Sequence, residues 1–138
     1  MSIYEDFLDF EEVYNHIVVP FDTLRGKTLK SVVRDDDFAI YFHTTDNEVY
    51  KMCHIQSCSE SVYIEDLDGE LQSLVGSPIL QANETTSQKQ DSSIKHSTWT
   101  FYNIYTLHGD VNIRWYGTSN GYYSERVALV LGQPKKGD

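Results

Sequence analysis

Basic residues are scarce in this chain of 138 residues: 11 Lys and Arg stand against 21 Asp and Glu, for a formal net charge of −10. Phosphate backbones are held chiefly by Lys and Arg that displace counterions, so direct nucleic-acid binding is not expected. Cysteine is nearly absent, with only Cys53 and Cys58. A structural zinc site needs about four N or S ligands, and no second Cys or His pair at ligand spacing completes that set, so no metal is expected. No apolar run approaches the ~18 residues that span a bilayer. Nothing at the N-terminus has the charged-then-apolar pattern of a signal peptide, which predicts a cytoplasmic protein with no membrane partner. Phosphate-cradling glycine loops, nucleophile elbows and HExxH pairs are also missing, so no catalytic residue and no cofactor are assigned.

Apolar material is plentiful. Hydrophobic residues make up 40% and aromatic ones 13%, with ten Tyr, six Phe and two Trp. That is enough to build a core without staples, and the length suits one domain over 1–132 with a flexible tail at 133–138. Charge is unevenly spread: residues 1–70 hold 16 acids and 5 bases, residues 71–138 only 5 acids and 6 bases. The acidic field therefore belongs to the first half, with Asp35, Asp36, Asp37, Glu65, Asp66 and Asp68 as its densest groups.

Phe7, Phe10, Val13 and Tyr14 recur at helical spacing with acids between them, which predicts a short amphipathic helix over about 4–16. From Thr28 onward the pattern is that of strands, with a hairpin turn at 44–48, and a second short helix is predicted at about 70–75, stopped by Gly76 and Pro78. The stretch 83–97 is almost wholly polar and reads as a mobile loop. Three antiparallel strands then follow, rich in β-branched and aromatic residues with glycines at the reversals. The expected fold is α+β and β-rich: one compact domain, a mainly antiparallel twisted sheet and two short helices. Alternation groups Trp99, Phe101 and Tyr105 on one strand face and Val111, Ile113 and Trp115 on one face of the next, and both sets are core candidates. Asn112, Arg114 and Tyr116 point the other way.

Two constellations could carry chemistry. His54, Cys58 and Glu60 gather an imidazole, a thiol and a carboxylate, but the surroundings are acidic and no orienting third group accompanies the thiol, so buried structural roles are the simpler account. Residues 65–70 offer four carboxylates around Gly69 without the remaining ligands of a calcium loop. By contrast, Arg114, Tyr116, Asn120, Tyr122 and Tyr123 cluster around one glycine-bounded loop, and rings with an Arg and an Asn are what recognition surfaces use.

Two stretches resemble a family of small uncharacterised domains encoded mainly by bacteriophages and prophages. One runs from His54-Ile55-Gln56-Ser57-Cys58-Ser59-Glu60 through Val62-Tyr63-Ile64-Glu65-Asp66-Leu67-Asp68-Gly69 to Pro78-Ile79-Leu80; the other joins Thr98-Trp99-Thr100-Phe101-Tyr102 to Arg114-Trp115-Tyr116-Gly117-Thr118-Ser119-Asn120-Gly121-Tyr122-Tyr123-Ser124. The resemblance covers roughly residues 24–128. It implies a phage origin and a compact α+β domain, without a known reaction. The family usually has adjacent cysteines where this chain has Cys58-Ser59, which weakens any role that needs two neighbouring thiols.

The resemblance and the acidic half together point to a phage-encoded accessory protein of the host-cell cytoplasm. It would bind and inhibit or modulate a host protein with a basic surface, such as a CRISPR effector in an antiviral defence system. The alternatives are a protein that binds or sequesters a nucleotide signal through the Arg114 and Asn120 loop, and an enzyme built on His54, Cys58 and Glu60.

Overall fold

The structure, a computed structural model, describes residues 14–55, 60–90, 96–119 and 125–134. Within them β-branched and aromatic runs form strands β1 (Tyr14–Val19), β2 (Leu29–Asp35), β3 (Ala39–Thr44), β4 (Val49–His54), β5 (Ser61–Asp68), β6 (Gln81–Gln90), β7 (His96–Tyr105), β8 (Asp110–Ser119) and β9 (Val127–Pro134). Five of them make one antiparallel sheet in the order β1-β9-β4-β3-β2, and four make a second in the order β5-β8-β7-β6. The fold is thus two packed antiparallel sheets, and the α+β expectation is wrong.

Where the two expected helices fall on described residues, other structure is found. Residues 14–16 belong to β1, paired along its length with β9, while 4–13 lie outside the described residues. The β-branched run Ile17-Val18-Val19 prefers a pleated ladder and draws the preceding residues into it. The 70–75 segment contains only a single 3-10 turn, Leu71–Leu74, which buries Leu74 before Gly76 turns the chain at φ 93°. The expected loop at 83–97 is also corrected: β6 pairs with β7 from Gln81↔Tyr105 to Gln90↔His96, and only 91–95 fall outside the description. Polar Thr and Gln can hold an edge strand through backbone bonds alone, which a search for alternating apolar residues does not detect.

The sheets share a core. Phe42, Tyr50 and Met52 from the first meet Ile64, Tyr102, Ile113 and Trp115 from the second, with Phe21 and Leu24 of a 3-10 turn (Phe21–Leu24) beside them. Trp115, 1% exposed, donates its indole N–H to Met52 Sδ at 3.2 Å across the interface. The β3–β4 hairpin turns where expected: Thr44 Oγ1 accepts from the Glu48 N–H at 3.0 Å, and Asn47 adopts φ 65°. The first sheet is buried on its other face as well, at Ala39, Tyr41, Val49, Cys53 and Val130.

The second sheet differs. On β7 the buried set is Thr98, Thr100, Tyr102 and Ile104, whereas Phe101 and Tyr105 are 41% and 39% exposed and Trp99 is half-buried. The expectation that Trp99, Phe101 and Tyr105 belong to the core is reversed. Buried carboxylate chemistry explains part of this choice, since Thr98 Oγ1 donates to Glu125 Oε1 at 2.7 Å and Ser119 Oγ bonds the other oxygen of the same group. On β8 the expected core face holds, with Val111, Ile113 and Trp115 inside.

Candidate binding surface

The outer face of the second sheet is built in rows by the strand register. Tyr63, Tyr116 and Trp99 stand side by side on β5, β8 and β7. The Tyr116 ring lies 4.4 Å from Trp99 and 6.1 Å, edge-on, from Tyr63. One step along, Arg114 faces Phe101, and its guanidinium lies 5.5 Å over the Trp99 ring. A further step brings Asp68, Asn112, Asn103 and Asn83 into line across all four strands.

A β-bulge sets the chemistry of the middle row. Ile64 pairs with Trp115 and Asp66 with Arg114, so Glu65 is an extra residue between them. Were the same residues to run as a regular strand with no bulge, alternation from the buried Val62 and Ile64 would turn Asp66 and Asp68 inward. With it, both carboxylates join the outer face, and Glu65 Oε2 accepts from Arg114 Nε at 2.5 Å. That bond holds the Arg114 pKa above its usual value.

The sequence-derived acidic groups come together in part. Asp35, Asp36 and Asp37 form the exposed β2–β3 turn, where Asp36 takes φ 54° and Arg34 holds Asp37 Oδ1 at 2.8 Å. The Asp37 carbonyl accepts from the Ile64 N–H at 2.7 Å, which fastens this turn next to the Glu65–Asp68 group. Arg114 and Tyr116 stand on the outer face as expected. Asn120, Tyr122 and Tyr123 lie outside the described residues, as does Cys58.

His54 and Glu60 do meet. His54 Nδ1 bonds the Arg126 carbonyl at 2.7 Å, and its Nε2 lies 3.0 Å from Glu60 Oε1. A carbonyl only accepts, so Nδ1 is the donor to Arg126. The side chains are 6% and 0% exposed, which suits a tie between the end of β4, the start of β5 and the chain entering β9. Among the described residues no group of three or more His, Cys, Asp or Glu is placed to hold a metal ion. Nor, among them, is any helix long and apolar enough to cross a membrane.

A family model for a domain of unknown function, DUF7448, matches residues 15–129. The chain belongs to that family. The match runs from β1 into β9 and contains every residue of the outer-face rows, so the surface is part of the DUF7448 domain itself. No curated protein and no solved structure matches the chain.

Four residues of this face are not evident from sequence: alternation assigns no site role to Tyr63 and groups Trp99, Phe101 and Tyr105 with the core. One signal was available. Asn103 shares their face, and a core face that also had to bury an amide between Phe101 and Tyr105 is the less economical choice.

Proposed function

We propose that this is a phage-encoded acidic accessory protein that acts in the host cytoplasm by binding, not by catalysis, and that its target is a host protein with a basic surface. A defence component such as a CRISPR effector is the target class we put forward. The observation that carries the reading is the outer face of the second sheet: five aromatic side chains, Tyr63, Trp99, Phe101, Tyr105 and Tyr116, stand there beside exposed carboxylates. Large exposed rings on one sheet face are uncommon unless the face is used, and rings with an Arg are the residue types that dominate binding energy. The acids give that face an electrostatic reach toward a basic partner, which raises encounter rates more than final affinity. The sequence resemblance to phage-encoded domains supplies the biological setting.

The test is native mass spectrometry of the tagged protein recovered from infected bacteria, followed by surface kinetics with the recovered partner. The expected result is a protein partner whose association rate falls as salt rises, since the Debye length shrinks from ~10 Å at 0.1 M to ~3 Å at 1 M. Tyr116→Ala should instead mainly raise the dissociation rate. A tightly held small molecule in place of a protein, or association indifferent to salt, overturns the proposal.

A further inference from the structure

Beside the ring row, the outer face sinks into a concavity of about 310 Å³ whose walls include Asp66, Asp68, Asn103, Asn112, Arg114 and Phe101. That volume lies at the low end of ligand pockets, which run from ~300 to ~1,000 Å³. It suits one long side chain better than a segment of main chain.

The charge of the walls is set by what is already paired. Arg114, itself part of the wall, is bonded to Glu65 and also feels the charge of its cross-strand neighbour Asp66, with the Glu65 bond the larger influence. The Asp66 and Asp68 carboxylates make no side-chain hydrogen bond or ion pair with any described residue, and they lie two residues apart on the same face of β5, about 7 Å along the strand. Asn103 uses both amide protons, on Asp110 Oδ1 at 2.6 Å and on Asn112 Oδ1 at 2.9 Å, and so presents its carbonyl oxygen. The exposed ring of Phe101 lines the same concavity, two residues from Asn103 on β7 and across Arg114 from Asp66.

Acceptors and an aromatic ring lining one concavity match a planar cation with several donors. Resting on the protein-binding reading above, we infer that this concavity receives an arginine side chain projecting from a basic segment of the partner protein. The guanidinium fork bonds Asp66 and Asp68 while its plane lies against Phe101. Lysine would fill the charge but not the fork, and an anionic ligand would meet two unpaired carboxylates.

The test uses blocked peptides of alternating serine and arginine, serine and lysine, or serine and glutamate, titrated into the isotope-labelled full chain and followed by NMR. The arginine peptide should move the side-chain amide signals of Asn83, Asn103 and Asn112 and bind more tightly than the lysine peptide. The double variant Asp66→Asn with Asp68→Asn should weaken it by on the order of tenfold or more. Phe101→Leu should narrow the difference between arginine and lysine. All three positions are on the surface, so an unchanged backbone spectrum verifies the fold.

Equal binding of the glutamate peptide, arginine-induced shifts elsewhere, or indifference to the double variant overturns the inference. Failure of the inference can be told from failure of the wider reading. If a partner protein still binds the Asp66→Asn, Asp68→Asn variant but not Tyr116→Ala, the arginine pocket is wrong and the binding face stands. If the arginine peptide binds as described but no partner protein is recovered, the pocket stands and the protein-partner reading falls.

Discussion

Replacing Trp115 by Ala tests the arrangement of the sheets most directly, because this ring fills the space between them. It is 1% exposed, packs in the shared core and bonds Met52 across the interface. Removing a fully buried Trp costs about 3–5 kcal/mol through lost transfer energy and the cavity left behind. At ~2.1 cal/mol/K per residue, a chain of this length unfolds with an entropy near 290 cal/mol/K, so the Tm should fall by about 10–17 °C. Trp99 is the matched control, one strand away but on the outer face. Trp99→Ala removes a half-buried ring whose stacking on Tyr116 contributes only about 0.5–1.5 kcal/mol beyond its buried area. Calorimetry and urea titration followed by far-ultraviolet circular dichroism would compare the two variants. Equal losses, or a larger loss for Trp99→Ala, would show that the face of β7 has been assigned wrongly and would falsify the account of the binding surface with it.

Gly69→Ala should destabilise more than Gly26→Ala. Both glycines have positive φ, a strain of about 1–3 kcal/mol for another residue, but a Cβ at Gly69 would sit 2.6 Å from the Asp110 carbonyl oxygen whereas at Gly26 it meets nothing within 4 Å; thermal melts of the pair check the order. Glu125→Ala should cost about 1.5–3 kcal/mol by denaturant titration, because Thr98 and Ser119 lose their shared buried acceptor. Burial, reinforced by the Glu48 carboxylate, pushes the Tyr50 hydroxyl up to about 12 from its usual 10. A phenol whose folded pKa is raised gives stability that is complete below pH 10 and is lost as the pH climbs from 10 through 12. Tyr50→Phe should therefore flatten the stability profile in that window, and a profile as steep as that of the parent protein would count against the assignment.

Strand content was legible where the chain obeys alternation. The β3–β4 hairpin and the inward face of β8 follow from the β-branched and aromatic spacing around Thr44–Glu48 and Val111–Trp115. Three things were hidden for physical reasons. β6 carries little apolar signal because residues 83–88 are exposed, and its existence depends on a ladder to β7 that lies in the backbone. Residues 14–16 carry a helical period, yet pairing of β1 with β9 prevails there, as tertiary context commonly does over local preference. The face of β7 is hidden in sequence because large rings make a stronger local claim on the core than the hydroxyls of Thr98 and Thr100, and the buried Glu125 that makes the Thr98 hydroxyl useful inside is far away in sequence. For the surface itself, Arg114, Tyr116 and the acids of β5 were identifiable, but their joining through the Glu65 bond required the register of two strands.

The extra residue in β5 has a consequence for how this domain can change over generations. Downstream of Ile64, the assignment of side chains to inside or outside depends on the parity of the residue count, and Glu65 is the residue that shifts it. Losing Glu65 alone would leave Ile64, Asp66, Leu67 and Asp68 in plain alternation, with both aspartates still outward and Leu67 still inward, so a single-codon deletion at this point keeps the strand faces and removes only the carboxylate that holds Arg114. Losing Glu65 and Asp66 together would place Leu67 directly after Ile64, turning Leu67 toward water and Asp68 toward the core. Length variation among related chains at this point is therefore expected as the presence or absence of one residue, while the exposed side chains of the same sheet are free to drift one at a time toward new partners.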